Sequence, residues 1–244
     1  MPAAPLNYFA AVGAFLGGWP DDYLVVDVET QGLDPRAATT LPLQLGYCVV
    51  EGREVAAAGS VVLDWTRHPG VECGPLASSI ARCRHGMAAR GQAYRFSLSV
   101  LQAEGVDPLD GLRSYRRLLA DTLAGGGRLV GHNFHAYDRP LLEAAFFRHL
   151  GEPLEIPASS IFDTGMVEKA RVMKTCPPAS GLSIDDWYTR TSRRRGRGRW
   201  NLGEHCDEVY GLSVDRSASH DAANDCITTM RLMEAMRALT SAVP

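Results

Sequence analysis

Apolar and polar positions along this chain follow two periods, and the first clear segment is a strand. Tyr23, Leu24, Val25 and Val26 form a short apolar, β-branched run behind the turn-like Trp19-Pro20-Asp21-Asp22, which predicts a buried central strand over Tyr23–Thr30. Its polarity changes abruptly at Asp27 and Glu29, which lie at i and i+2 and so share one face, about 6.5 to 7 Å apart along the strand. Leu43–Glu51 and Glu54–Leu63 flank Gly52-Arg53 and predict a hairpin. Trp65–Asp107 holds no sustained period and reads as excursion loops with isolated helical turns. From Pro108 the apolar spacing changes to three and four at Leu109, Leu112, Tyr115, Leu118 and Leu119, predicting a helix that Gly125-Gly126-Gly127 ends, with Arg128–Gly131 as a short strand after it. A helix over Ala136–Leu150 aligns Leu141, Leu142, Ala145, Phe146 and His149 on one stripe. A strand over Pro157–Asp163 then precedes a helix over Thr164–Met173. Cys176–Trp200 lacks an apolar pattern. Helices over Asn201–Tyr210 and Ser219–Leu239 complete the series, the last with Ala223, Ile227, Met230 and Met233 inward. Helix-to-strand steps of this kind build a sheet with covering helices.

Composition narrows the class. With 244 residues, 45% of them hydrophobic, the chain is long enough to bury a full core as one elaborated domain over 1–244. Residues 1–22 form an N-terminal packing segment, and 65–107 and 176–200 are irregular insertions. The apolar opening LNYFAAVGAFLGG carries no Lys or Arg and is broken by Gly17, Gly18 and Pro20, which argues against a signal peptide or a membrane span and for a short packing helix. Six cysteines without a CxxC pair suggest reduced thiols and a cytoplasmic protein. His68, Cys73, Cys83 and His85 match no zinc-ligand spacing. A net charge of −3 means that attraction for a polyanion has to be local. The concentrated positive charge is Arg193, Arg194, Arg195, Arg197 and Arg199, which reads either as a solvated loop or as an arm that grips phosphates.

Three short stretches carry candidate chemistry. Two carboxylates ending a buried strand repel each other and lose hydration, so they need a cation or a proton between them unless the strand end is simply solvated. Asp138 lies three and four residues before Leu141 and Leu142, so it falls on the inward stripe of its helix. Pro140 is tolerated in that first turn, where an acid also gains from the helix dipole without any site being present. The last helix opens as His220-Asp221-Ala222-Ala223-Asn224-Asp225. On an ideal helix a spacing of five puts His220 and Asp225 about 140° apart. His220 is therefore expected at the helix entry, with Ser219 helping to cap, so that an imidazole hangs over a wall that includes Asp225. Alone, the same pattern suits a capping histidine beside a surface aspartate. Asp163 reads as a cap for the helix it precedes.

In order and type, DVET around Asp27 and Glu29, GHNFHAYD ending at Asp138, and HDAAND from His220 to Asp225 resemble the three exonuclease motifs of the DEDD superfamily. The histidine five residues before the last aspartate is similar to the DEDDh branch, which includes the polymerase III proofreading subunit, ribonuclease T and oligoribonuclease. The resemblance spans about Tyr23 to Leu239. It implies an α/β, ribonuclease-H-like fold with a five-stranded mixed sheet flanked by helices, and two divalent cations, Mg2+ or Mn2+, which hard oxygen ligands suit. It also implies that Asp27 bridges both cations, Glu29 and Asp225 complete the tighter site, Asp138 holds the second through water, and His220 is the general base. The implied reaction is 3′-5′ exonuclease hydrolysis of single-stranded DNA or RNA to nucleoside 5′-monophosphates.

In the family, the loop of Thr30, Gly32 and Leu33 meets the terminal nucleotide. His132, Asn133 and Phe134 lie where they can contact sugar or base by hydrogen bonding and stacking. Loop packing is the alternative for each of these six. Nothing after Leu239 resembles a polymerase-binding tail, which favours a free-standing enzyme over a polymerase-associated one, and a homodimer is compatible with the family. The rival reading is a non-catalytic nucleic-acid-binding or polymerase-associated module that kept the fold. Such a module has no need of clustered carboxylates.

Overall fold

In the computed structural model, residues 7–175, 181–193, 202–214 and 220–240 are described. Asn7 accepts from the amides of Phe9 and Ala10 and so caps a short helix, α1 (Tyr8–Phe15), the packing helix expected there. The chain then enters β1 (Tyr23–Thr30), β2 (Pro42–Glu51) and β3 (Glu54–Val62). Helices α2 (Cys73–Ala88), α3 (Leu98–Glu104) and α4 (Pro108–Ala124) lead to β4 (Arg128–Gly131) and α5 (Asp138–Ala145), which continues as a wider π-type turn to Leu150. β5 (Ile161–Asp163), α6 (Thr164–Val172), α7 (Ile184–Arg193), α8 (Leu202–Tyr210) and α9 (Ala222–Ala238) follow.

The sheet is mixed and five-stranded, in the order β3-β2-β1-β4-β5, with β1 antiparallel to β2 and parallel to β4. Tyr23 to Val26 are all buried, as a central strand covered on both faces demands. The hairpin turns at Gly52 and Arg53, both at positive φ. Helix α9 packs on β1 and β2, and α4 on β1 and β4. Among the described residues, no helix is long and apolar enough to cross a membrane.

Several elements differ from expectation, each for a physical reason. The segment 65–107 is largely helical, because α2 is held by only two fully buried residues, Leu76 and Ile80, too few to print a period. Ile184–Arg193 is likewise a helix, anchored by the buried Trp187 and Tyr188. The expected strand over Pro157–Asp163 keeps only its last three residues, behind a 3-10 turn at Ala158–Ser160. In α9 the buried positions are Ala222, Cys226, Thr228, Thr229, Leu232, Met233 and Met236, so only Met233 of the expected inward set is fully buried. The helix opens at the Asp221 cap, and its core stripe includes small and polar side chains that an apolar count passes over. Ser219 and the arginines at 194, 195, 197 and 199 lie outside the described residues.

Candidate active site

β1 carries the first two acids past the end of its parallel neighbour. It pairs with β4 only over Tyr23–Val25, so beyond that point the β4 side of β1 is open. The amide of Val28 finds its partner there in Asp138, whose Oδ1 accepts it at 3.0 Å. That bond places the first turn of α5 against the strand segment between Asp27 and Glu29. Glu29 and Asp138 are 8% and 6% exposed, so neither is a solvated surface acid.

The approach of α9 depends on residues with no acidic signal. Asp27 pairs with Gly46 on β2, and a Cβ at Gly46 would lie 2.3 Å from the carbonyl oxygen of Ala222. Only glycine lets the start of α9 lie this close. Gln44, opposite Glu29 in the ladder and almost fully buried, accepts from the Ala222 amide at 3.2 Å and donates to Asp221 Oδ2 at 3.1 Å. Asp221 Oδ1 takes the amides of Ala223 and Asn224, and Arg95 donates to Asp221 Oδ2 at 3.0 Å. Against burial, Gln44, the helix amide of Asn224 and Arg95 hold the Asp221 carboxyl below its ordinary range. Asp221 is thus the cap that fixes the helix start.

His220 sits in the turn before this cap at φ 63°, a left-handed conformation that frees it from the helix face. Its amide donates to Asp225 Oδ2 at 3.2 Å, and its Nδ1 lies 3.5 Å from Glu29 Oε1. His220 Nε2 is buried without a hydrogen-bond partner. Glu29, His220 and Asp225 offer ligand atoms within 4.8 Å of one another, the one such cluster among the described residues.

Electrostatics tie Asp27 and Asp138 to that cluster. Burial raises the Asp27 carboxyl well above its ordinary value, and the charges of Asp225, Asp138 and Glu29 add to the shift. Burial also raises Asp138, opposed by backbone amides including that of Val28 and reinforced by Asp163 and Glu29. Asp225 is pushed up to about 7, first by burial and then by Glu29, with His220 pulling the other way. Contact with Glu29 raises the His220 imidazole and outweighs its burial. Acids that resist ionisation together, with an unpartnered imidazole nitrogen beside them, fit a divalent cation bound through hard oxygen donors.

The expected substrate residues divide. Leu33 is 84% exposed on the loop after β1. That loop is pinned behind it: Thr30 Oγ1 donates to the Gly32 carbonyl at 2.9 Å and pairs with the Tyr137 hydroxyl at 2.7 Å. A Cβ at Gly32 would meet Thr40 Oγ1 at 2.4 Å, so packing on Thr40 is the reason for glycine. Asn133 is exposed at φ 65°, and His132 Nδ1 lies 3.1 Å from Thr164 Oγ1. Phe134 corrects the expectation: it is fully buried against Gly131, a core residue with no face to stack on a base. Asp163, fully buried, accepts from the amides of Asn133 (2.9 Å), His135 (2.8 Å) and Met166 (3.0 Å). It caps α6 as expected and also shapes the loop that delivers Asp138.

This geometry defines a class by its fold, a mixed α/β sheet with carboxylates gathered at the open end of its central strand. No family model and no curated protein sequence matches the chain. Solved structures do match. Product-bound exonuclease I superposes with a TM-score of 0.58 at 16% identity, covering 89% of this chain and 43% of that one. E. coli exonuclease I in complex with a dT13 oligonucleotide gives 0.56 at 16%, covering 89% and 41%. The zinc-bound complex of the E. coli enzyme with single-stranded DNA gives 0.56 at 16%, covering 89% and 40%. The chain therefore shares their ribonuclease-H-like fold and spans about two fifths of their length.

Proposed function

We propose that this chain is a 3′-5′ exonuclease that removes nucleoside 5′-monophosphates from single-stranded DNA or RNA. The observation that carries this reading is the meeting of Glu29, Asp225 and His220 within 4.8 Å, beside Asp27 and with Asp138 bonded to the Val28 amide. The solved neighbours that hold an oligonucleotide and single-stranded DNA support the substrate class.

In this reading Asp27, Glu29, Asp138 and Asp225 hold two divalent cations, Mg2+ or Mn2+. Such a pair, when bound, supplies Lewis-acid stabilisation of the attacking and leaving oxygens of an in-line displacement at phosphorus. The protein's own part is positioning and proton transfer. The Asp225 carboxylate holds the His220 backbone, which aims the imidazole over the open end of β1. There His220 takes the proton of the attacking water, a role that requires the ring neutral and so a carboxylate free to release it. Leu33 offers an exposed apolar surface for the terminal base, with Thr30 and Gly32 bracing its loop and His132 and Asn133 at the neighbouring edge.

Asp27→Asn and His220→Asn separate these roles. Asp27→Asn is expected to remove turnover and weaken cation binding together, whereas His220→Asn removes most turnover, on the order of 10²-fold or more, while cation affinity stays within a few fold. Undiminished hydrolysis by Asp27→Asn protein would overturn the reading.

A further inference from the structure

Behind the loop that follows β1 lies a second cleft, which the proposed chemistry leaves unused. It is a cavity of about 500 Å³, in the size range of small-molecule sites. Its walls are the β1–β2 loop, the first half of α2 and the Arg148-His149 end of the turn after α5. Leu41, Val71 and Leu76 make part of the lining apolar.

Its charge is lopsided. Arg82 and Arg148 line it, and neither meets a carboxylate among the described residues. Arg82 Nη2 donates to Ser79 Oγ at 3.3 Å, and Arg148 Nη1 reaches the carbonyls of Ala37 and Ala38 at 3.5 and 3.3 Å. Glu72 is the one acid in the lining, and it makes no side-chain bond to the helix it precedes. His68 and His149 also line the cleft, both packed with tilted rings against the buried Trp65, at centroid distances of 5.4 and 4.7 Å. His149 Nε2 is buried without a partner. Burial, then His68 and Arg148, lower the His149 imidazole to about 4, which leaves it neutral in a positive neighbourhood.

Two guanidiniums that meet no carboxylate among the described residues, over a partly apolar cavity too large for an inorganic ion alone, match a phosphate ester that carries a flat apolar group. We propose that this cleft binds a nucleotide, its phosphate held by Arg82 and Arg148 and its base against Leu41, Val71 and Leu76. No lining residue belongs to the carboxylate cluster, so the site stands apart from the exonuclease reading. It touches that cluster through one element. Gln31, two residues after Glu29, donates to the Thr39 carbonyl at 2.7 Å and accepts the Leu41 amide at 3.0 Å, so an occupant of the cleft braces the loop that bears Leu33.

The test is calorimetric titration of the full chain in EDTA, where the acids hold no cation and turnover plays no part. Adenosine 5′-monophosphate is expected to bind, with adenosine and inorganic phosphate each at least about tenfold weaker. Arg82→Gln and Arg148→Gln, both at exposed positions, each weaken it about tenfold or more, as loss of a charged hydrogen bond predicts. Wild-type melting temperatures in both variants confirm that the fold is intact. Competition by an oligonucleotide lacking terminal phosphates assigns the site to nucleotides within a strand; failure to compete assigns it to free mononucleotides. Absent binding, binding indifferent to both arginines, or inorganic phosphate as tight as the nucleotide overturns the proposal.

Discussion

Asp225→Asn distinguishes a cation site from an accidental gathering of acids. The Asp225 carboxyl is pushed up to about 7 in the fold, while an unfolded aspartate titrates near about 3.9. Between those values the folded chain binds the proton more tightly, so cation-free stability falls as pH rises through this window, and the loss is complete above it. Three pH units correspond to about 4 kcal/mol as a ceiling, and partial solvation of the strand end reduces this to about 2 kcal/mol. Asparagine removes the charge but keeps an oxygen for the His220 amide. In EDTA at pH 8 the variant should therefore unfold about 4–8 °C above wild type, and at pH 4 the two should nearly coincide. Mg2+ or Mn2+ at a hundredfold over its Kd should add about 2.7 kcal/mol to wild type and far less to the variant. Thermal unfolding followed by circular dichroism, at both pH values with EDTA or cation, reads all four conditions. A variant less stable than wild type in EDTA at pH 8, with an undiminished cation response, refutes the reasoning.

Two further substitutions test the scaffold. Gly46→Ala drives a Cβ to 2.3 Å from the Ala222 carbonyl, so α9 has to shift. A loss of about 1–3 kcal/mol in chemical denaturation is expected, with turnover falling by more than stability explains, since His220 and Asp225 move with the helix. Asp163→Ala strips three backbone amides of their acceptor, the Met166 amide fully buried and those of Asn133 and His135 partly so, and should lower stability by about 2 kcal/mol or more, whereas Asp163→Asn recovers part of it; equal stability of both variants contradicts the capping role.

What the sequence makes legible is local and chemical. Asp27 and Glu29 stand out because acids interrupt an apolar run, and Asp138 because its helical stripe points inward. The entry position of His220 follows from a spacing that no regular helix turn satisfies, and the structure realises it with a left-handed residue. What stays hidden depends on contacts between distant elements. Gly46 and Gln44 read as ordinary strand residues until Ala222 lies against them, and neither has a signal in its own neighbourhood. Phe134 looks like a stacking residue from its place in GHNFHAYD, but the absent side chain of Gly131 lets it turn into the core. Helix α2 is invisible to periodicity because its outward face dominates, although its inner end shapes both the loop behind Glu29 and the second cleft.

On the proposed function, acids from three separated stretches cooperate in cutting nucleotides from a 3′ end. Digestion of a 5′-labelled single-stranded oligonucleotide, in parallel with a 3′-blocked and a circular one, tests it most directly. With Mg2+ or Mn2+ the expected outcome is stepwise shortening from the free 3′ end, release of nucleoside 5′-monophosphates, intact circles, and no reaction in EDTA. Cleavage of the circular substrate, or shortening that continues in EDTA, would contradict it.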